Sequence, residues 1–278
     1  MIKSILVALD GSQHADAALQ YALWLAGRER ATLVGLHVID IVSIEGSFFH
    51  DVSGSLGFEP YLDFAAKMRE VLTERGKALL EAFRRRCADR GVPCDTALPM
   101  GIIANEICDH ARTADLVVVG HRGINEQFST GLLGGTTESV TRKSPRPVLV
   151  SPMKFVEVRK PLVAYDGSPR AGLALHLAAE VASALGLPLT VLHVDREGRD
   201  VDTVLDEARR YLERYDVALD CERAAGSPHQ RIVEFIADRG HDLLIIGAYG
   251  HSRIIEMVLG STTEFVLRNS HCPVLLAR

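Results

Sequence analysis

The chain repeats itself. Residues 5–38 (ILVALDGSQHADAALQYALWLAGRERATLVGLHV) lie over residues 161–194 (PLVAYDGSPRAGLALHLAAEVASALGLPLTVLHV) at an offset of 156, with about 15 of 34 positions identical. Residues 114–120 (ADLVVVG) match 241–247 (HDLLIIG) at an offset of 127, and residues 134–150 (GGTTESVTRKSPRPVLV) match 260–276 (GSTTEFVLRNSHCPVLL) at an offset of 126. Self-similarity at this scale means two copies of one structural unit. The falling offset places about 30 extra residues inside half one, and one more between Gly120 and Gly134.

Each half reads strand, helix, strand, helix, strand, helix, strand, loop, helix, strand. In half two, residues 160–166 form a short apolar strand, and Ser168 is a natural N-cap for a helix running to Leu185. Residues 187–194 form a second strand, 202–215 a helix, and 217–223 an alternating strand. Residues 228–239 carry Ile232, Phe235 and Ile236 on one helical face, 242–247 is a buried strand, 261–269 a helix and 272–277 a final strand. Unbroken Val/Ile/Leu strands alternating with helices imply a parallel sheet covered on both faces. With right-handed crossovers the fold class is α/β: two repeated, doubly wound domains, each with a five-stranded parallel sheet. The expected domains are residues 1–152 and 153–278, joined by the short charged link PMKFVEVRK at 152–160. Ligands of such sheets sit at the carboxyl ends of the strands.

The extra segment of half one has two parts. Residues 40–60 are rich in Gly, Ser and Phe (Phe48, Phe49, Phe58) and read as a long loop. It suits docking on this chain or a partner, a lid over a ligand, or plain disorder. Residues 62–90 read as a long helix with Phe64, Met68, Leu72, Leu79, Phe83 and Cys87 near one stripe.

Several function classes drop out. The formal net charge of -5 argues against a nucleic-acid partner. No apolar run approaches the roughly 20 residues of a bilayer span, so no membrane insertion is expected. MIKSILVALDGS reads as a strand and not as a signal peptide. The five cysteines (Cys87, Cys94, Cys108, Cys221, Cys272) are odd in number and lack a CxxC pair, which fits a reduced cytoplasm. HExxH, the Walker A loop and a GxGxxG turn are absent, so neither a metal set nor a catalytic residue is assigned.

The chemistry lies in the strand-end loops. In half two, Gly247-Ala-Tyr-Gly250 is followed by nine residues and then Gly260-Ser261. Glycines let backbone N–H groups approach an anion closely. A helix N-terminus adds unpaired donors and partial positive charge. Ser261 and Thr262 add hydroxyls, and His251 and Arg253 add charge, which together make an anion nest without a Walker lysine. The same residues also read as a capping box, with Ser261 as cap and Glu264 returning the bond. Both readings stand at this point.

These residues resemble the universal stress protein family. Its ATP-binding signature is G-x2-G-x9-G-[ST], its first strand ends in [VA]-x-D-G-S, and it closes with a CPVL-type strand. All three occur here in order, and the resemblance covers nearly the whole chain, twice. It implies an adenine-nucleotide α-hydrolase-like fold and a cytoplasmic stress-response protein that binds ATP, or ADP or AMP, with magnesium as an accompanying ion. Such a protein acts as a switch or sensor with slow or absent turnover. By position, the resemblance puts Ala164, Tyr165 and Asp166 at the adenosine, and Val194 where the second strand offers main-chain bonds to adenine. Gly247, Gly250, His251, Ser252 and Arg253 match the ribose and phosphate contacts, and Gly260, Ser261 and Thr262 the triphosphate end. In half one the candidates are Ala8, Asp10, Val38, Gly120, Arg122, Gly123, Gly134, Gly135 and Thr136. There the loop departs from the signature: ten residues separate Gly123 from Gly134, and Gly135 replaces Ser or Thr.

The resemblance also implies that residues 148–152 and 274–278 pair antiparallel, edge to edge. That makes the chain its own pseudo-dimer and covers two sheet edges; a homodimer of chains is compatible with it. Plainer roles compete at single positions. Asp10 and Asp166 also suit turns into the next helix, His37 and His193 suit satisfied strand-end histidines, and Tyr165 suits core or base contact. Arg84, Arg85 and Arg86 read as a solvated helix face. The leading function is an adenine-nucleotide-binding regulator. The alternatives are a slow ATPase and an interaction protein with degenerate sites. An adenylate-forming enzyme is disfavoured, because DGSQHAD and DGSPRAG lack the SGGxDS-like loop.

Overall fold

The computed structural model describes residues 2–45, 58–123, 133–195, 201–248 and 260–278. Half one runs β1 (Ser4–Ala8), α1 (Gln13–Glu29), β2 (Thr32–Leu36), β3 (Ile39–Asp40), α2 (Ile41–Glu45), α3 (Phe58–Asp89), β4 (Cys94–Ala97), β5 (Met100–Gly101), α4 (Ile103–Ala111), β6 (Leu116–Gly120), α5 (Gly135–Lys143) and β7 (Val148–Ser151). Half two runs β8 (Pro161–Ala164), α6 (Pro169–Leu185), β9 (Leu189–Asp195), α7 (Val201–Leu212), β10 (Leu219–Ala225), α8 (Pro228–Arg239), β11 (Leu243–Gly247), α9 (Ser261–Asn269) and β12 (Val274–Ala277).

The two halves repeat one topology, β4-β2-β1-β6-β7 in the first and β10-β9-β8-β11-β12 in the second, with every neighbour within a half parallel. They join where β7 and β12 pair antiparallel, with Val150 opposite Val274 and Val148 opposite Leu276. The result is one ten-stranded sheet with the edge-to-edge seam that the family resemblance implies. Strand parity sorts the core. Ile5, Val7 and Val118 enter the layer shared with α1, while Leu6, Val117 and Val119 enter the layer shared with α4.

Both first helices are capped as their Ser residues predict. Ser12 Oγ accepts from Ala15 N at 3.1 Å, and Ser168 Oγ accepts from Ala171 N at 3.2 Å. The repeat is equally exact at the strand starts. Asp115 accepts from Lys3 N and Ser4 N (2.7 and 3.0 Å), and Asp242 accepts from Arg159 N and Lys160 N (2.8 and 2.7 Å). The link is held down as well: Val156 N donates to the Tyr21 hydroxyl (3.1 Å), Phe155 meets the Tyr21 ring edge-on, and Arg28 pairs with Glu157.

Half one departs from the expected loop over 40–60 at both ends. Asp40 Oδ1 accepts from Val42 N at 3.1 Å, an Asx turn that starts α2, and α3 begins at Phe58. Phe48 and Phe49 lie outside the described residues. Only the C-terminal end of the stripe on α3 is sealed against the sheet: Phe83 and Cys87 are fully buried, while Met68, Leu72 and Leu79 are half-buried. A Cβ at Gly35 would stand 2.7 Å from the Phe83 ring, so the ring rests on β2 only because that residue is Gly.

His241 begins the turn into β11, with its imidazole against the Lys160 carbonyl (Nδ1 to O 3.0 Å). Burial lowers its pKa below the ordinary 6.5, against the opposing pull of that bond. The unfolded chain therefore takes up this proton more readily than the folded one. Stability rises with pH through this window and is lost as pH falls below about 6.5. Thermal melts should show the wild-type chain losing more between about pH 7.5 and about pH 5.5 than His241→Gln does. Equal losses would dismiss His241 as a contributor.

Candidate functional site

Each half opens a cavity at the carboxyl ends of its strands. The half-one cavity is about 620 Å³ and the half-two cavity about 460 Å³. All nine half-one candidates line the first: Ala8, Asp10, Val38, Gly120, Arg122, Gly123, Gly134, Gly135 and Thr136. Ala164, Tyr165, Asp166, Val194, Gly247, Gly260, Ser261 and Thr262 line the second. Gly250, His251, Ser252 and Arg253 lie outside the described residues.

The phosphate-end geometry is built the same way twice. Gly134 and Gly260 occupy the N-cap positions of α5 and α9, with φ/ψ of −60/136° and −60/144°. A glycine N-cap supplies no side-chain capping bond to either helix. This corrects the capping-box reading: Ser261 is the first helical residue and not the cap, and Glu264 pairs instead with Arg268 at 2.6 Å. A helix start that its own N-cap residue does not cap suits an anion. Despite the extra residue of half one, α5 starts as α9 does. Gly134 N donates to His121 O at 3.2 Å, closing the turn Gly120–Gly123. Thr137 Oγ1 donates to Gly120 O (2.7 Å) and Thr263 Oγ1 to Gly247 O (3.3 Å), tying each helix start to its strand end.

At the other wall, Asp10 Oδ1 accepts from Ser12 N (2.8 Å) and Asp166 Oδ1 accepts from Ser168 N (3.0 Å). The turn role is therefore real, and it also fixes each carboxylate at the cavity. Gly11 and Gly167 take φ of 83° and 74°, which a side chain would resist. His37 and His193 support the strand ends, with Nδ1 on Leu9 O at 2.6 Å and on Tyr165 O at 2.9 Å, but both also line the cavities, and the buried Nε2 of His193 meets no hydrogen-bond partner among the described residues, so His193 is only half satisfied. Tyr165 proves to be both core and lining. Burial, reinforced by the Glu207 carboxylate, pushes its hydroxyl up to about 12, so it is neutral at any physiological pH.

Some lining residues were not anticipated. Arg170 belongs to the half-two cavity and donates to Ala248 O (3.3 Å). Leu72 and Arg75 of α3 line the half-one cavity, with the Arg75 Nη2 atom 3.8 Å from where a Gly11 Cβ would stand. The matching place in half two, beside Gly167, is taken by Val204 of α7. The longer helix of half one thus sets a guanidinium beside Gly11 where half two has the apolar Val204 beside Gly167.

Among the described residues, no helix is long and apolar enough to cross a membrane. The model of the universal stress protein family matches residues 1–152 and again residues 157–278. A universal stress protein of Synechocystis is 31% identical over 287 residues, covering 100% of both chains. One from Mycolicibacterium smegmatis is 28% identical, over 99% of this chain and 96% of its own. The crystal structure of a universal stress protein from Archaeoglobus fulgidus matches with a TM-score of 0.78 at 23% identity, covering 99% of this chain and 98% of that one. At that identity the likeness speaks for the fold.

Proposed function

The chain belongs to the universal stress protein family, and we propose that it is a two-site adenine-nucleotide-binding regulator with little or no turnover. One observation carries this reading. Both halves place a helix start with glycine at its N-cap, the glycine that ends the preceding strand (Gly120, Gly247) and a turn-fixed aspartate around one cavity. ATP, or ADP or AMP, fits that donor set. Its phosphates would meet the N–H groups at Gly134–Thr136 and Gly260–Thr262, and magnesium would accompany them. The ribose would lie beside Asp10 and Asp166, and the base would meet the main chain at Val38 and Val194. The apolar walls, Ile103 and Ile107 in half one and Pro228 and Ile232 in half two, would cover the base. Half one is included in the proposal despite its longer loop, because its N-cap has the backbone conformation of Gly260. The proposed units are residues 1–152 and 153–278.

The test is stoichiometry. Purified protein is saturated with ATP and magnesium, desalted and denatured, and the released nucleotide is identified by chromatography. Two equivalents per chain are expected, falling to one in Gly134→Asp and to one in Gly260→Asp. A carboxylate at either N-cap would repel a phosphate and occupy its donors. One equivalent, lost only with Gly260→Asp, would make half one a structural copy. No equivalents, with no binding in titration, would sink the nucleotide reading in favour of an interaction protein.

A further inference from the structure

The two pockets share structural parts across the seam. His121 lies in the half-one turn Gly120–Gly123. Its N donates to Ser151 O (2.9 Å), and its carbonyl accepts from Gly134 N, the N-cap of α5. Its imidazole reaches the other half, where Nε2 meets Leu267 O at 2.6 Å. Leu267 is buried in the last turn of α9, the helix whose first residue, Ser261, lines the half-two cavity. A contact to a carbonyl requires Nε2 to carry the proton. One residue therefore closes the phosphate turn of one pocket and holds the far end of the phosphate helix of the other.

The return connection comes from Arg278. It donates to Thr141 O (Nη2, 2.7 Å) and to Ser144 O, at the end of α5. Each phosphate helix thus has its C-terminal carbonyls held from the opposite half, where a donor also suits the helix dipole. The repeat does not require this. The half-two residue in the place of His121 is Ala248, which has no side chain to return the contact.

We infer that the two nucleotide sites are positively coupled through His121, so that filling the half-one pocket raises the affinity of the half-two pocket. This rests on both pockets binding nucleotide. Phosphate bound at the Gly120–Gly123 turn fixes His121, and His121 fixes α9, so the second nucleotide meets a helix already ordered. Linkage makes the effect reciprocal, with the same factor in each direction. His121 is a positioning residue in this account, since it is not among the residues lining the half-one cavity and its side chain meets Leu267 O.

The experiment measures the ATP·Mg affinity of the half-two site by calorimetry in the full chain, with half one intact or blocked by Gly134→Asp. Blocking is expected to weaken half two by about fivefold to tenfold, the lower end of the usual range of coupling. In a His121→Ala background, blocking should change half two by less than about 1.5-fold. His121→Gln keeps an N–H donor and should restore part of the coupling, which a general loss of folding would not do. Half-two affinity unaffected by blocking half one, with both sites binding, overturns the coupling and leaves the nucleotide reading intact. Coupling that persists unchanged in both His121 variants assigns it to the seam strands and overturns the role of His121. Absence of ATP binding at both sites removes the nucleotide reading and the coupling with it, whereas binding at one site alone overturns only the coupling.

Discussion

Gly247→Ala is expected to lower the melting temperature by about 2–12 °C and to abolish nucleotide binding by half two alone. A Cβ at Gly247 would stand 2.6 Å from Arg170 O, 2.8 Å from Arg170 C and 3.2 Å from Ala171 N. These are backbone atoms of the first turn of α6, so no side chain can swing aside. Strand β11 and helix α6 must separate, and overpacking of this kind costs about 1–3 kcal/mol. In a chain of this size each kcal/mol moves the melting temperature by roughly 2–4 °C. The displaced atoms belong to the cavity wall at Gly247, Arg170 and Ala171, so binding goes with the geometry. Gly120→Ala should do the same to half one, where the Cβ would meet His14 C at 2.8 Å and His14 O at 3.0 Å. Gly172→Ala is the control. It lies in α6, its Cβ would meet nothing within 4 Å, and it should raise stability by about 0.5–1 kcal/mol. If Gly247→Ala melts within a degree of Gly172→Ala and still binds two nucleotides, the account of this wall is wrong.

That contrast bears on what a sequence makes legible. The repeat and the apolar strands locate strand ends, and so they locate Asp10, Asp166, Gly120 and Gly247 at a cavity without any coordinates. Which atoms cross between neighbouring elements is another matter. Gly247 reads as a phosphate-loop glycine, yet the contact that forbids a side chain there is to the backbone of Arg170. Arg75 escaped notice although it left a trace. It sits three residues after Leu72 and four before Leu79, on the stripe that α3 turns to the sheet. An arginine there signals that the stripe runs off the core and over a cavity. Ser261 shows the opposite limit. Ser-Thr-Thr-Glu satisfies the capping-box pattern, and only the backbone angles of Gly260 show that the cap lies one residue earlier.

Removing residues 274–278 should destroy the monomeric fold rather than trim it. Val274, Leu275 and Leu276 are each no more than 3% exposed. Burying three such side chains contributes about 5–9 kcal/mol, comparable with the whole stability of an ordinary domain at about 5–15 kcal/mol. Strand β12 also pairs on both sides, parallel with β11 and antiparallel with β7. Its loss strips the partner from both strands and leaves two apolar edges facing each other across a gap. Open edges of this kind recruit other chains. Arg278 goes too, releasing the end of α5 that it holds in half one. The truncated chain is therefore expected to elute as aggregate or as a strand-exchanged oligomer, with no cooperative melt at the wild-type temperature. Leu276→Asp gives the same test at full length, placing a charge at a position with no exposure. Light scattering coupled to size exclusion decides the matter. A truncated monomer that melts within about 5 °C of the full chain would mean that each half holds its own sheet, and that the seam contributes little to stability.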